Sequence, residues 1–579
     1  MTSHPRVSPR WVPTAGMPHR EAAGDGALAE RLTLDERVPA RLRPTRLEQG
    51  LLLAAVGWLP VLLFLRWPAP LAPQFNSNSN IDAAFFALAG QLVRDGGMPY
   101  LTFWDHKPPL IHLIDAAALT ASNGAVWGLW LASLATFVAT LGASYVAWRR
   151  MFGATAAVIG AAYFAFSLGL VAPFNLTEGF ALPVQAASML VLTSWASARG
   201  RVFAPALAIG MLAGIAFMLR PNLIGGPAVA AMAMALTLLL TQRAATLAHL
   251  FGGLAAGAAI TAGPVLLWLG LAGAFDAFVD QVFRYNVIYS AASWKARIRA
   301  AFEGVAVTTM YGTLLLPIAG WLIAAYRLRA SRPGAVNVPI LCFALMWLPL
   351  ELAFAAVPGR SYMHYFAMLL VPLATVACIA THEVLGLLAR VVRPNAADRA
   401  RHHAVVVACG AIAIIPVGRT LLEARDSGLR SDRAKQVDAA AQLVRASTAP
   451  TDRVLVWGHA ADVYLLAGRR PASRFVYPLP LLTPGYADSA LVAGFVDELR
   501  ATAPPLIVDA TPNTPLSERL VPTLGTWKPN WQYPADGVAW WTMTPALRQL
   551  YDYVAANYEP VRTVGPSKWV VYRRVAVER

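Results

Sequence analysis

The stretch IDAAFFALAGQLVRDGGMPYLTFWDHKPPL, residues Ile81 to Leu110, sets Asp82, Asp105, His106 and Lys107 between apolar segments, directly after the first hydrophobic run of membrane length. Charged side chains beside a bilayer carry a desolvation penalty, and where they persist they mark chemistry or a pathway rather than decoration. The rigid Pro108-Pro109 pair that follows Lys107 fixes the backbone at the same point. The fold and the function are both read outward from this loop.

The rest of the chain says what the loop is embedded in. Of 579 residues, 57% are hydrophobic and 14% charged, with a mean hydropathy of +0.49. That leaves too little polar surface for a soluble globule, so the fold class is a polytopic α-helical membrane protein. A ruler of about 20 apolar residues per crossing gives about eleven spans, beginning near Gly50, Gly124, Gly153, Gly179, Phe203, Asn222, Ala248, Phe302, Val338, Tyr362 and Ala404. The formal net charge of +16 does not imply a nucleic-acid partner, because the basic residues fall in short clusters between apolar runs, as topology determinants do. With the Arg-rich segment before Leu51 in the cytoplasm, Arg149-Arg150, Arg199 with Arg201, Arg243, Arg327 with Arg329 and Arg332, and the cluster from Arg390 to Arg401 all fall on the cytoplasmic side. An odd number of spans then puts the remainder of the chain outside. Cys342, Cys378 and Cys409 lie singly in apolar runs, which suggests neither a disulfide framework nor a thiolate metal site.

Three regions are expected. Residues 1–49 mix Pro, Gly, Ala, Arg and acidic residues without apolar periodicity and read as a disordered cytoplasmic tail lacking signal-peptide grammar. Residues 50–422 form the transmembrane module, with a first outer loop at 69–123. Residues 423–579 form a small extracytoplasmic α/β domain, with strands at DRVLVWG from Asp452, PLIVD from Pro505 and KWVVYR from Lys568, and an amphipathic helix from Ser489 to Arg500. Asp462, Arg469, Arg470 and Arg474 surround the strand and helix that open this domain, as an acceptor site or as part of a lid.

Sorted by side, the candidate reactive groups collect on the outer face. After the first loop come Asn175 and Glu178, then Arg220 and Asn222 around Pro221, then Asp276, Asp280, Arg284, Tyr285, Lys295 and Arg297, and finally Arg360, Tyr362, His364 and Tyr365. One cavity at the outer leaflet, holding a phosphate-linked lipid, accounts for them. Lys107, Arg360 and Arg220 would bind the phosphate by charge-assisted hydrogen bonds, and a carboxylate nearby would take the proton of an incoming hydroxyl. The plainer account of each cation is snorkelling to the headgroups, which suits Lys295, Arg297 and Arg299 on their amphipathic segment. His106, Asp105, His364 and Glu178 are also metal-ligand residue types, but they lack ligand spacing, so no cofactor is required and a divalent metal stays possible. Trp104 and Tyr365 could stack on a sugar face.

The order of a span, Asp82, an aromatic-rich helix, G-x-P-Y at Gly97 to Tyr100 and W-D-H-K-P-P at Trp104 to Pro109 resembles the first periplasmic loop of the polyprenyl-phosphate-dependent glycosyltransferases of the GT-C superfamily. The likeness is to the branch of protein O-mannosyltransferases and lipid A aminoarabinose transferases, above all its bacterial family 39 members. FNLTEGFALP from Phe174, GRSYMHYFAMLLVPLA from Gly359 and VLVWGHAADVYLLAGRRPASRFVYP from Val454 match that branch too, so the resemblance covers about Gly50 to Tyr477. It implies inverting transfer of a sugar from a polyprenyl-phosphate donor to an extracytoplasmic acceptor hydroxyl, in the inner or plasma membrane of a bacterial cell envelope. It implies Asp82 as the catalytic carboxylate and Lys107 as the K-P-P lysine near the lipid phosphate; His106, Glu178, Asn175, Tyr362, His364 and Tyr365, collected on the same face, are expected to contact substrate. Many relatives carry a second acidic residue beside the first where this chain has Ala83, which leaves open whether Asp82 acts alone or with Asp105 or Glu178. An N-cap role for Asp82 is the alternative to catalysis. A transporter or flippase of a lipid-linked or anionic solute, or a scaffold for envelope assembly, is the alternative to an enzyme. Clean spans with charge confined to outer loops argue against the transporter.

Overall fold

Thr45 opens the first helix with a reciprocal cap: its hydroxyl accepts from the Glu48 backbone N–H at 3.3 Å while the Glu48 carboxylate accepts from the Thr45 N–H at 2.5 Å. That cap starts α1 (Arg46–Arg66) four residues ahead of Gly50, so residues 46–49 are helical and do not belong to a tail. The computed structural model describes residues 45–67, 81–198, 201–309, 313–331, 337–391, 396–427, 432–511, 523–524, 532–535 and 538–575. The tail expected over residues 1–44 and the start of the first outer loop lie outside the described residues.

The helices that follow are α2 (Ile81–Arg94), α3 (Leu110–Ala121), α4 (Trp127–Val171), α5 (Thr177–Ala198), α6 (Phe203–Leu219), α7 (Gly225–Leu240), α8 (Leu247–Leu271) and α9 (Phe275–Phe278), the last running through a π-helical turn, Val279–Arg284, into α10 (Tyr285–Tyr289). Then come α11 (Trp294–Thr308), α12 (Leu315–Ala330), α13 (Val338–Ala356), a 3-10 segment Met363–Leu369 leading into α14 (Leu370–Val391), and α15 (Ala396–Ser427). Among the described residues, seven helical stretches, those holding α1, α4, α5, α8, α13, α14 and α15, are long and apolar enough to cross a membrane. The span expected from Phe302 instead begins at Leu315, because the polar face of Lys295, Arg297, Arg299 and Glu303 occupies α11.

The 45 residues of α4 are not one rod. At Gly153 the backbone leaves helical geometry, with φ 86° and ψ 174°, a conformation that favours glycine. A Cβ placed on Gly160 would lie 3.0 Å from the Trp148 ring, whereas twelve residues along a straight helix span about 18 Å. The chain therefore doubles back at Gly153 into two antiparallel arms. Helices α1 and α15 run in the same direction, since Glu48 meets His402 at 3.3 Å at one end and Arg66 meets Glu423 at 2.5 Å at the other.

Beyond α16 (Asp432–Ser447) the chain forms an α/β unit from β1 (Arg453–Trp457), α17 (Ala461–Ala467), β2 (Arg470–Pro471), α18 (Leu479–Leu482), α19 (Ser489–Thr502), β3 (Leu506–Asp509), the paired strands β4 (Gln532–Ala535) and β5 (Val538–Thr542), α20 (Arg548–Asn557), β6 (Tyr558–Val564) and β7 (Trp569–Arg574). The main sheet has the order β2-β1-β3-β7-β6, with β1 parallel to both its neighbours and β7 antiparallel to β3 and β6. The apolar runs VLVW and LIVD are buried throughout, as central parallel strands require. All four elements expected here, three strands and the Ser489 helix, lie within a few residues of their expected ends.

This unit is seated on the first loop. Helix α17 packs against α2, and the Trp104 N–H donates to the Arg474 carbonyl at 2.9 Å. The Trp104 indole donates to the Tyr486 hydroxyl at 3.1 Å, and that hydroxyl donates to Asp280 at 2.6 Å. The loop bearing the first charged cluster is thus clamped between the membrane helices and the α/β unit.

Candidate active site

Asp82 is the second residue of α2 rather than its cap, and its carboxylate favours the positive end of the helix dipole there. It lies 3.6 Å from the Lys107 ammonium and 3.9 Å from His364 Nε2. Its side chain keeps 30% of its surface exposed while that of Lys107 keeps 9%, so the carboxyl borders open space inside the fold. Burial by itself would raise this carboxyl, but Lys107, then His364 and His459, outweigh it and hold Asp82 well below the usual carboxylate range. Lys107 also lies over the Phe86 ring, 4.6 Å from its centroid.

The segment from Arg360 to Tyr365 supplies the adjoining wall. Tyr362 and His364 stack with centroids 6.0 Å apart, and the edge of Tyr365 meets His364 at 4.8 Å. Arg360 lies over the Tyr289 ring at 3.8 Å and approaches the Tyr362 hydroxyl at 3.5 Å. Behind them, Arg220 pairs with Glu178 at 2.6 Å and covers Tyr365 at 4.0 Å. Asp82, Lys107, His364, Tyr362, Arg360, Tyr365, Arg220 and Glu178, drawn from four separate loops, therefore form one continuous cluster. The inward-facing cations are spread along an aromatic wall, a surface that suits an anion with an apolar tail.

Asp105 is held differently. Its Oδ1 accepts from the His106 N–H at 2.7 Å and from the Tyr477 hydroxyl at 3.0 Å, its Oδ2 meets His112 Nε2 at 2.8 Å, and its side chain is wholly buried. Burial opposes its ionisation, and His112, followed by Lys107 and His106, brings the carboxyl below its ordinary value. Such a carboxylate locks a loop. His106 stacks on Tyr285 at 5.3 Å, and its carbonyl accepts from Asn286 at 2.6 Å. Burial, then Lys107, pushes its imidazole down to about 3, so it is neutral near pH 7. Asn175, at φ 51°, donates to Asp115 at 2.9 Å and toward the Ala83 carbonyl at 3.4 Å, bracing α2 against α3 behind the cluster. Among the described residues no three His, Cys, Asp or Glu side chains are grouped closely enough to hold a metal ion.

Several neighbours escape a reading of the sequence. Gln281, in the π-helical turn, accepts from the Asp105 N–H at 3.1 Å and donates to the Tyr100 carbonyl at 3.0 Å, tying that turn to the loop between α2 and α3. Tyr289 and Tyr477 line the cluster, and His459 reaches it from the α/β unit. For His459 a signal existed: Gly-His directly after a buried strand is the carboxyl end of a strand, where open α/β sheets hold ligands.

Solved structures share this architecture. The chain superposes on the crystal structure of ArnT from Cupriavidus metallidurans bound to undecaprenyl phosphate with a TM-score of 0.53 at 15% identity, covering 91% of this chain and 98% of that one. The chain shares the fold of that structure. The apo state of the same ArnT gives a TM-score of 0.50 at 17% identity, covering 90% and 99% of the two chains. No protein-family model and no curated protein matches the chain. At these identities the likeness extends to the arrangement of membrane helices and the following α/β unit, and the chemistry has to be argued from the cluster itself.

Proposed function

We propose that the chain is an inverting glycosyltransferase that moves a sugar from a polyprenyl-phosphate donor to an acceptor hydroxyl outside the cytoplasm. The observation that carries this reading is Asp82, ionised and partly open, 3.6 Å from Lys107 in a GT-C-type fold. The acceptor oxygen attacks the anomeric carbon from the face opposite the lipid phosphate, forming the new glycosidic bond as the bond to the phosphate oxygen breaks. Asp82 takes the hydroxyl proton. Lys107 and Arg360 stabilise the charge gathering on the departing phosphate, and since that group leaves as a stable anion, no general acid is needed. Arg220, already paired with Glu178, holds the wall that carries Tyr365, and Asp105 positions the His106-Lys107 loop. The ArnT superposition supports this reading because that protein was crystallised with undecaprenyl phosphate.

The topology that goes with this reading has the N-terminus in the cytoplasm. The two arms of α4, with α1, α5, α6, α7, α8, α12, α13, α14 and α15, make eleven crossings, and parallel α1 and α15 agree with an odd count. Residues 50–422 then make up the membrane module and 423–579 the outer domain, with the cluster in the outer leaflet. The purified protein in nanodiscs, given synthetic polyprenyl-phosphate sugars, should release free polyprenyl phosphate. No release from a panel of such donors, together with solute uptake by proteoliposomes, would replace this reading with a transporter.

A further inference from the structure

The cluster accounts for the charged groups of the outer loops but leaves His459 without a task. Strand β1 ends at Trp457, and Gly458 turns the chain at φ 134°, where a Cβ would lie 3.2 Å from the Ala510 Cβ. His459 therefore stands at the carboxyl end of a strand flanked by two parallel neighbours. Its backbone is fixed from behind: Arg433 Nη2 donates to the His459 carbonyl at 3.0 Å and to Asp462 Oδ2 at 3.2 Å. In front, the imidazole lies against Tyr477 with centroids 5.3 Å apart. Tyr477 meets Phe85 edge-on at 4.8 Å and donates to Asp105 at 3.0 Å. Phe85 is one helical turn along α2 from Asp82, so the ring comes to the rim of the Asp82–Lys107 pair.

The Nε2 atom of His459 is buried and, among the described residues, has no hydrogen-bond partner. A buried polar nitrogen in that state is costly unless something absent from the free protein satisfies it. Burial pushes the imidazole down to about 4, opposed by Asp82 and reinforced by Arg433 and Lys107, so the ring is neutral near pH 7 and suits a hydroxyl better than a phosphate. We propose that His459 is a substrate-contacting residue supplied by the α/β unit, its neutral Nε2 hydrogen-bonding a hydroxyl of the transferred sugar or of the acceptor. The inference rests on the glycosyltransferase reading and deepens it. The lipid phosphate is gripped by loops of the membrane helices, while the hydroxyl-bearing partner is gripped from the outer domain, which makes the seating of that domain part of the site.

Three variants of the full chain in nanodiscs, His459→Phe, His459→Gln and His459→Ala, test this. His459→Phe keeps a ring against Tyr477 and removes the nitrogens, whereas His459→Gln keeps a neutral hydrogen-bonding group. With a labelled polyprenyl-phosphate sugar as the probe and native envelope membranes as the acceptor source, donor affinity, donor hydrolysis by water and transfer are measured beside the thermal midpoint. The expected result is a wild-type midpoint for His459→Phe, about a tenfold fall in transfer, and partial recovery in His459→Gln. Donor affinity and hydrolysis falling together assign the hydroxyl to the sugar; a fall confined to transfer assigns it to the acceptor. His459→Phe equal to wild type in all three overturns the inference and leaves the ring as packing. Should His459→Phe lower the midpoint, equal transfer rates in His459→Gln and His459→Ala overturn it. A wild-type protein inactive on every donor overturns the glycosyltransferase reading, and this inference with it.

Discussion

Replacing Asp82 with Asn separates catalysis from structure, because Asn keeps the volume and the place in the first turn of α2 and removes only the charge. The lost pairs are with Lys107 at 3.6 Å and His364 at 3.9 Å. At an effective dielectric near 20 the Lys107 pair alone has a gross Coulomb energy of about 4 to 5 kcal/mol. Desolvation offsets most of it, and a carboxyl still 30% exposed leaves a net cost of about 1 kcal/mol. Folding should survive. Lys107 is then released from its carboxylate and the Asp82 charge no longer opposes the donor phosphate, so donor affinity should rise by up to about fivefold, the equivalent of that 1 kcal/mol. Turnover should fall by about 10² to 10⁴, the usual contribution of a general base. Equilibrium binding of labelled donor and single-turnover transfer, both in nanodiscs, read the two effects separately. A near-normal transfer rate, or weakened donor binding, would refute the assignment and shift attention to Glu178.

Lys107→Ala should weaken donor binding about ten- to hundredfold, the cost of one charge-assisted hydrogen bond. The same variant should move the acid limb of kcat/KM upward: with the ammonium in place Asp82 stays ionised well into acid, and without it the opposing effect of burial brings protonation closer to neutrality; an unmoved limb would dissociate Asp82 from the rate. Arg220→Met strands the buried Glu178 carboxylate and should destabilise the protein by about 3 to 5 kcal/mol, and adding Glu178→Met should restore the thermal midpoint; a double variant as unstable as the single would refute the pairing argument. A cysteine introduced at Ser489 should react with an impermeant reagent in intact cells and one at Ser331 should not, and the reverse pattern would overturn the sidedness on which the site rests.

What was legible in the sequence follows from how local each signal is. Membrane helices announce themselves because about 20 apolar residues in a row have few other uses, and the buried strands β1, β3 and β7 stand out as short apolar runs in a polar surround. The reversal at Gly153 was visible as a point where a new span had to begin, although only the approach of Gly160 to Trp148 shows the fold-back. The early start of α1 was carried by Thr45 and Glu48, a capping pair obscured by the tail-like composition before it. Strand β6, YEPVRTV, was not legible: it is an edge strand exposed along most of its length, so no burial pattern marks it.

The site shows the limit more sharply. Asp82 and Asp105 occur in one loop, both beside apolar segments, and nothing in their neighbours along the chain assigns one to chemistry and the other to support. The difference is tertiary. Tyr477, 372 residues away, joins His112 and the His106 backbone to saturate Asp105, while Asp82 keeps 30% of its side-chain surface exposed beside Lys107 and His364. The same distance hides His459, because the α/β unit considered by itself offers no catalytic constellation. Its histidine acquires meaning only when α17 is packed on α2 and the carboxyl end of β1 is brought to the rim of a site built by the membrane helices. A loop sequence can therefore nominate the carboxylates, but which of them borders open space beside the lysine is decided by side chains from the far end of the chain.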